Sequence, residues 1–89
     1  MYKIVFTAKS RKELRRFNKE EAKKILDKIN LLSYPFKSNL NIAKLTGSNR
    51  SYRLKFGKIR VIFEVDFKAE LISITKIGYR KNVYKFLLT

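Results

Sequence analysis

The chain contains no cysteine and no histidine. Without cysteine it can form no disulfide, thiol nucleophile or thiolate metal site. Without histidine it lacks the commonest general acid or base at neutral pH and the commonest zinc ligand. Acidic residues are scarce, seven in all. No run approaches the ~18–20 apolar residues of a membrane span, and the opening MYKIVF has no apolar stretch of signal-peptide length. These absences point to a cytoplasmic protein with no membrane role. They also argue against a metal or other cofactor.

What is present is positive charge. Twenty-two Lys and Arg face seven Asp and Glu, so the net charge is 22 − 7 = +15. A network of paired charges needs both signs, so this excess implies a polyanionic partner. The 89 residues, 45% hydrophobic and 13% aromatic, suit one globular domain over 1–89 with a modest core.

Tyr2–Thr7 alternates as a strand, with Tyr2, Ile4 and Phe6 on one side. Thr7 or Ser10 can cap a first helix that carries Leu14 and Phe17. Asn18 can cap a second, whose positive end suits Glu20 and Glu21. Ala22, Ile25, Ile29 and Leu32 form one apolar stripe along it. Residues 34–49 read as a loop holding Pro35 and Gly47, with Ile42 and Leu45 tucked into the core. Three strands follow, at 51–56, 58–66 and 70–77, with Gly57 at the first turn. Residues 82–88 form a short helix or tail. The expected fold is α+β, two N-terminal helices on a four-stranded, mainly antiparallel sheet in the order β-α-α-β-β-β.

The charge is concentrated. Residues 34–60 hold Lys37, Lys44, Arg50, Arg53, Lys55, Lys58 and Arg60 and no acid. Strand alternation places Tyr52, Leu54, Phe56, Ile59, Val61, Phe63 and Val65 toward the helices. Arg53, Lys55, Arg60, Ile62 and Glu64 then share the opposite face, and Arg80 and Tyr84 can fold over it. Like charges so close cost stability unless an anion uses them.

Together, KLTG (44–47), YRLKFGKIRVIFEV (52–65) and IGYRKNVY (77–84) resemble the RelE/ParE toxin superfamily of toxin–antitoxin systems, and the likeness spans nearly the whole chain. The resemblance implies a small toxin neutralised by an antitoxin that wraps around it. That antitoxin should offer an acidic segment, in a complex that is heterotetrameric or larger. In the RelE branch the resemblance implies metal-independent cleavage of messenger RNA in the ribosomal A site. The matching site positions are Arg53, Lys55, Arg60, Arg80 and Tyr84. Where many relatives carry histidine in the GxR segment, this chain has Tyr79. A gyrase-poisoning, ParE-like inhibitor and a non-catalytic basic binding module are the alternatives.

Attack by a 2′-OH needs a base, charge stabilisation at phosphorus and a proton for the leaving oxygen. Arginine keeps its proton, so Arg60 and Arg80 suit phosphate clamping. Lys55 and Tyr84 are the proton-transfer candidates, with Glu64 a second candidate base that is better read as an ion-pair partner of Arg60. Tyr79 and Phe86 read as packing residues. Arg53, Lys44, Arg50, Lys58 and Lys81 are the RNA-contact candidates. Without histidine, free catalysis should be weak, and a ribosome would supply the in-line geometry. Affinity for single-stranded RNA should fall steeply with salt, by a log–log slope of about −0.7 per phosphate contact; a flat response in a filter-binding series would exclude RNA as the polyanion.

Overall fold

The computed structural model describes residues 1–88, with side chains through Lys85. Its elements are β1 (Lys3–Phe6), α1 (Ala8–Arg15), α2 (Lys19–Ile29), β2 (Asn41–Lys44), β3 (Ser51–Phe56), β4 (Ile59–Asp66), β5 (Leu71–Tyr79) and α3 (Arg80–Leu88). The sheet order is β1-β5-β4-β3-β2. Only the β1–β5 pair is parallel. The α+β class is as expected, but the sheet has five strands rather than four.

The extra strand, β2, lies inside the stretch read as loop. Its pattern is too short and polar to announce a strand. Pairing with β3 defines it: Ile42 sits opposite Leu54 and Ala43 opposite Arg53. Ile42 thereby packs against the core, and the edge strand satisfies the backbone of β3.

Both helix starts follow their capping residues. The Thr7 hydroxyl accepts from the Ser10 amide at 3.1 Å. The Asn18 side chain accepts from the Glu21 amide at 2.8 Å. Each cap satisfies an amide that the first helical turn leaves free. The stripe on α2 delivers Ile25 and Ile29, fully buried, to Leu54, Val61, Phe63, Val65, Ile72, Ile74 and Ile77. This is the main core, on the helix face of the sheet. The β3–β4 turn needs positive φ at its first residue, and Gly57 takes φ 56° without a Cβ penalty.

Helix α1 has a second task. Strand β1 pairs with β5 only from Leu71 to Ile74, so β5 continues past its partner. Side chains of α1 cover that open edge. Ser10, fully buried, donates to the Ile74 carbonyl at 2.7 Å. Glu13 accepts from the Ile77 amide at 2.9 Å and pairs with the Lys76 ammonium. An edge amide that a missing strand would have bound is thus held by a carboxylate.

The opposite face of the sheet is not an open, solvated surface. Helix α3 begins at Arg80, directly after β5, and packs back across β5 and β4. Val83 is fully buried, and Ile62 is 4% exposed. Alternation had grouped Ile62 with the outward polar residues; the face assignment holds, but α3 covers it. Phe86, read as a packing residue, lies outside the described side chains. Among the described residues no helix is long and apolar enough to cross a membrane.

Glu13→Ala should lower the unfolding free energy by about 1–3 kcal/mol, the cost of leaving a buried donor unsatisfied. Urea denaturation checks this, and Glu13→Gln should recover part of the loss, because its amide oxygen can still accept from Ile77.

Candidate functional site

Three elements meet at the β3–β4 hairpin and the start of α3. In register, Lys55 faces Arg60 across β3 and β4, and Arg60 faces Gly78 across β4 and β5. Arg53 lies two residues from Lys55 on the same face, opposite Ile62. The β5–α3 junction turns the chain over this row, fixed by a 2.7 Å hydrogen bond from the Arg80 amide to the Lys58 carbonyl. One turn further along α3, Tyr84 comes down beside Arg60, Arg53 and Arg80. The Arg80 guanidinium lies over the Tyr84 ring, 5.4 Å from its centroid, within cation–π range.

Arg60 departs from its expected setting. It was placed on an exposed basic face, yet it is 2% exposed. Its Nη1 donates to the Gly57 and Ile59 carbonyls at 2.8 and 2.9 Å. These bonds orient the guanidinium and offset part of its desolvation. Its Nε, like that of Arg53, is buried without a partner among the described residues. Buried donors are almost always satisfied, so the two arginines retain hydrogen-bonding capacity for an anion.

The arginines of the row act on the Tyr84 hydroxyl and shift its pKa. A hydrogen bond from Arg60 is the main cause, and the charges of Arg53 and Arg80 add to it; together they hold its pKa below the ordinary tyrosine value of 10.0. Cations favour the phenolate over the phenol. Tyr79 goes the other way. Its hydroxyl donates to Glu21 at 3.1 Å, and that carboxylate raises its pKa. Tyr79 is more than a packing residue, because it is 41% exposed and links β5 to α2.

The structure separates the remaining positions. Lys55 is exposed beside Arg60, and Lys58 and Lys81 are exposed near Arg80. Lys44 pairs in register with Tyr52 and so lies on the opposite face from Arg53. Arg50 precedes β3, at the end of the strand remote from the Gly57 turn. Neither Lys44 nor Arg50 joins the Arg60 row. Glu64 is not the ion-pair partner of Arg60. It stands between Ser51 and Ser73, four residues from Arg60 along β4 and therefore roughly 13 Å away.

Several participants escaped the sequence reading. The Gly57 and Ile59 carbonyls that hold Arg60 are backbone groups with no residue signature. Val83, which anchors α3, is a single apolar residue in RKNVYK, too isolated to signal a buried helix face. Gly78 had a readable role only in hindsight of the packing: a Cβ there would lie 3.2 Å from Val83 Cγ2. Among the described residues no three Asp, Glu, His or Cys side chains converge as a metal site would require.

No protein-family model matches the chain. Solved structures do. The chain superposes with a TM-score of 0.74 and 26% identity on the archaeal RelE–RelB complex of Pyrococcus horikoshii, covering 89% of this chain and 94% of that one. The RelB–RelE complex of Methanococcus jannaschii gives 0.74 at 22% identity, over 92% and 96%. The isolated Escherichia coli RelE toxin gives 0.72 at 20%, over 99% and 96%. The class is therefore a small basic α+β protein with the RelE toxin fold. Sequence carries this further: over 77 residues, 86% of this chain and 84% of the relative, it is 32% identical to a curated Methanocaldococcus jannaschii protein named as toxin RelE1. The chain belongs to the RelE toxin family.

Spectrophotometric titration should show a tyrosine ionising below 10.0 that Tyr84→Phe removes. The linkage has a definite sign. A depressed folded-state pKa adds stability as pH rises from the folded toward the unfolded value, and that gain is absent at lower pH, where the phenol is protonated in both states. Tyr84→Phe should therefore abolish the alkaline gain in a series of denaturant midpoints.

Proposed function

We propose that this chain is the toxin of a toxin–antitoxin pair and cleaves messenger RNA in the ribosomal A site. One observation carries the reading. A tyrosine hydroxyl with a lowered pKa lies against a buried arginine and two further arginines, two of which keep an unpartnered Nε. A cationic cluster with a proton acceptor among its arginines suits attack on a phosphodiester.

In this mechanism Tyr84, whose ionisation the arginines favour, is the general base: the fraction present as phenolate takes the proton from a ribose 2′-OH. The 2′-oxygen forms a bond to the adjacent phosphorus as the bond to the 5′-oxygen breaks. Arg60 stabilises the growing negative charge with hydrogen bonds, and Arg80 and Arg53 add to the field. Lys55, exposed next to Arg60, gives the departing 5′-oxygen its proton. The products are a 2′,3′-cyclic phosphate and a 5′-hydroxyl. These side chains fill every role without a metal. Arg60 is oriented in advance by two carbonyls, so the charge stabiliser needs little rearrangement. The RNA is not so constrained, and the ribosome supplies its in-line geometry.

The solved relatives in complex with RelB support a cognate antitoxin as the partner. An acidic segment would match the +15 chain, in an assembly that is heterotetrameric or larger.

The test is purified ribosomes programmed with a defined message, with RNA 5′ ends mapped after addition of toxin. Cuts inside the A-site codon are expected. Tyr84→Phe should lower the single-turnover rate by about 10²–10⁴. Arg80→Ala, an exposed position, should lower it by about 10²–10³. Intact message alongside gyrase-dependent DNA breaks would overturn the proposal in favour of a gyrase inhibitor.

A further inference from the structure

A cavity of about 250 Å³ opens on the side of α3 away from Tyr84. Its walls come from the end of α1, the end of β5 and the start of α3. The largely buried Glu13–Lys76 pair is part of the lining, and Arg16, Tyr79 and Asn82 in the same lining are exposed. Phe17 and Tyr79 form an aromatic wall, with ring centroids 5.1 Å apart and planes tilted by 51°. None of the proposed catalytic residues lines this space.

We infer that this cavity binds the base of a nucleotide next to the scissile phosphate and sets the base preference of cleavage. The inference rests on the proposed RNA substrate. Its lining suits a planar heteroaromatic ring. Aromatic side chains stack unpaired bases in single-stranded RNA recognition. The Asn82 amide has both a donor and an acceptor, as a base edge requires, and it has no partner among the described residues. Glu13 pairs with Lys76 and accepts from the Ile77 amide, so the pair forms a fixed floor rather than a charge site.

Position supports the same ligand. Gly78 lines the cavity and is the cross-strand partner of Arg60, so the two backbones lie about 5 Å apart. Asn82 follows Arg80 by two residues on α3. A phosphate held by Arg60 and Arg80 therefore sits within about one helix diameter, ~10 Å, of the cavity. A nucleotide splayed across the start of α3 would place its phosphate on one side and its base on the other. A phosphate alone would gain nothing from an aromatic wall.

The test follows side-chain and backbone NMR signals of the full chain during titration with the four ribonucleoside 5′-monophosphates. Ribose 5-phosphate is the control without a base. At least one nucleotide should shift the Asn82 side-chain amide and the Tyr79 ring, and ribose 5-phosphate should not. Asn82→Ala should weaken that nucleotide about threefold to tenfold, the loss expected for one hydrogen bond. Asn82→Asp, which exchanges a donor for an acceptor, should change which nucleotide binds best. On ribosomes both variants should redistribute the cut sites among codons. The inference is overturned if ribose 5-phosphate moves Asn82 equally, or if nucleotides perturb only the residues around Arg60. Base-dependent shifts at Asn82 without any ribosomal cleavage would uphold the cavity and sink the nuclease reading. Cleavage with an unaltered cut pattern in both variants would do the reverse.

Discussion

The close approach of Val83 to Gly78 governs the outer face of the sheet. With no side chain at Gly78, α3 lies directly on β5, and Val83 is sealed from water. A Cβ at Gly78 would stand 3.2 Å from Val83 Cγ2, tighter than ordinary contact, so the helix would have to give way. The same contact brings Tyr84 onto Arg60 and covers Ile62. A face that would otherwise be a solvated basic surface is partly covered by a helix, and electrostatic effects there are larger because water is partly excluded.

Charge placement follows from that docking. Arg60 loses water when α3 covers it, and two backbone carbonyls at the hairpin replace part of its hydration. Lys55 stays exposed across the strand pair. The guanidinium is thus fixed and the ammonium free, which suits one to hold a phosphate and the other to exchange a proton. The two tyrosines that frame the start of α3 are driven apart by their neighbours. Glu21 keeps Tyr79 protonated, and three arginines ease the ionisation of Tyr84. A protein without histidine thereby gains a group whose acidity has moved toward the neutral range.

Helix α1 provides the fixed reference for this arrangement. Through Ser10 and Glu13 it holds the part of β5 that outruns β1, and that part leads straight into Gly78, Tyr79 and Arg80. The same carboxylate forms the floor of the cavity on the far side of α3. Structural support and the proposed base recognition therefore share one side chain. The two sides of α3 are coupled through the strand beneath it.

Much of this was legible in the sequence because it depends on local rules. Thr7 and Asn18 announced their helices through side chains that satisfy amides three residues on. Alternation in 52–65 separated the core face from the basic face correctly, since neighbouring strand residues must point to opposite sides. The absence of cysteine and histidine, with a charge of +15, limited both the chemistry and the partner. Other features had no local signature. Asn41–Lys44 is a strand because β3 offers hydrogen bonds, not because its own pattern demands one. Lys44 and Arg50 shared the charge of the middle segment but not its face. The burial of Arg60 and Ile62 depends on Val83, more than twenty residues away, and one apolar residue in a polar run gives no periodicity to read. The sequence by itself determined which residues share a face and what charge they carry. Only the tertiary structure decided which of those faces lies under a helix, because desolvation depends on what packs above a residue rather than on its neighbours in the chain.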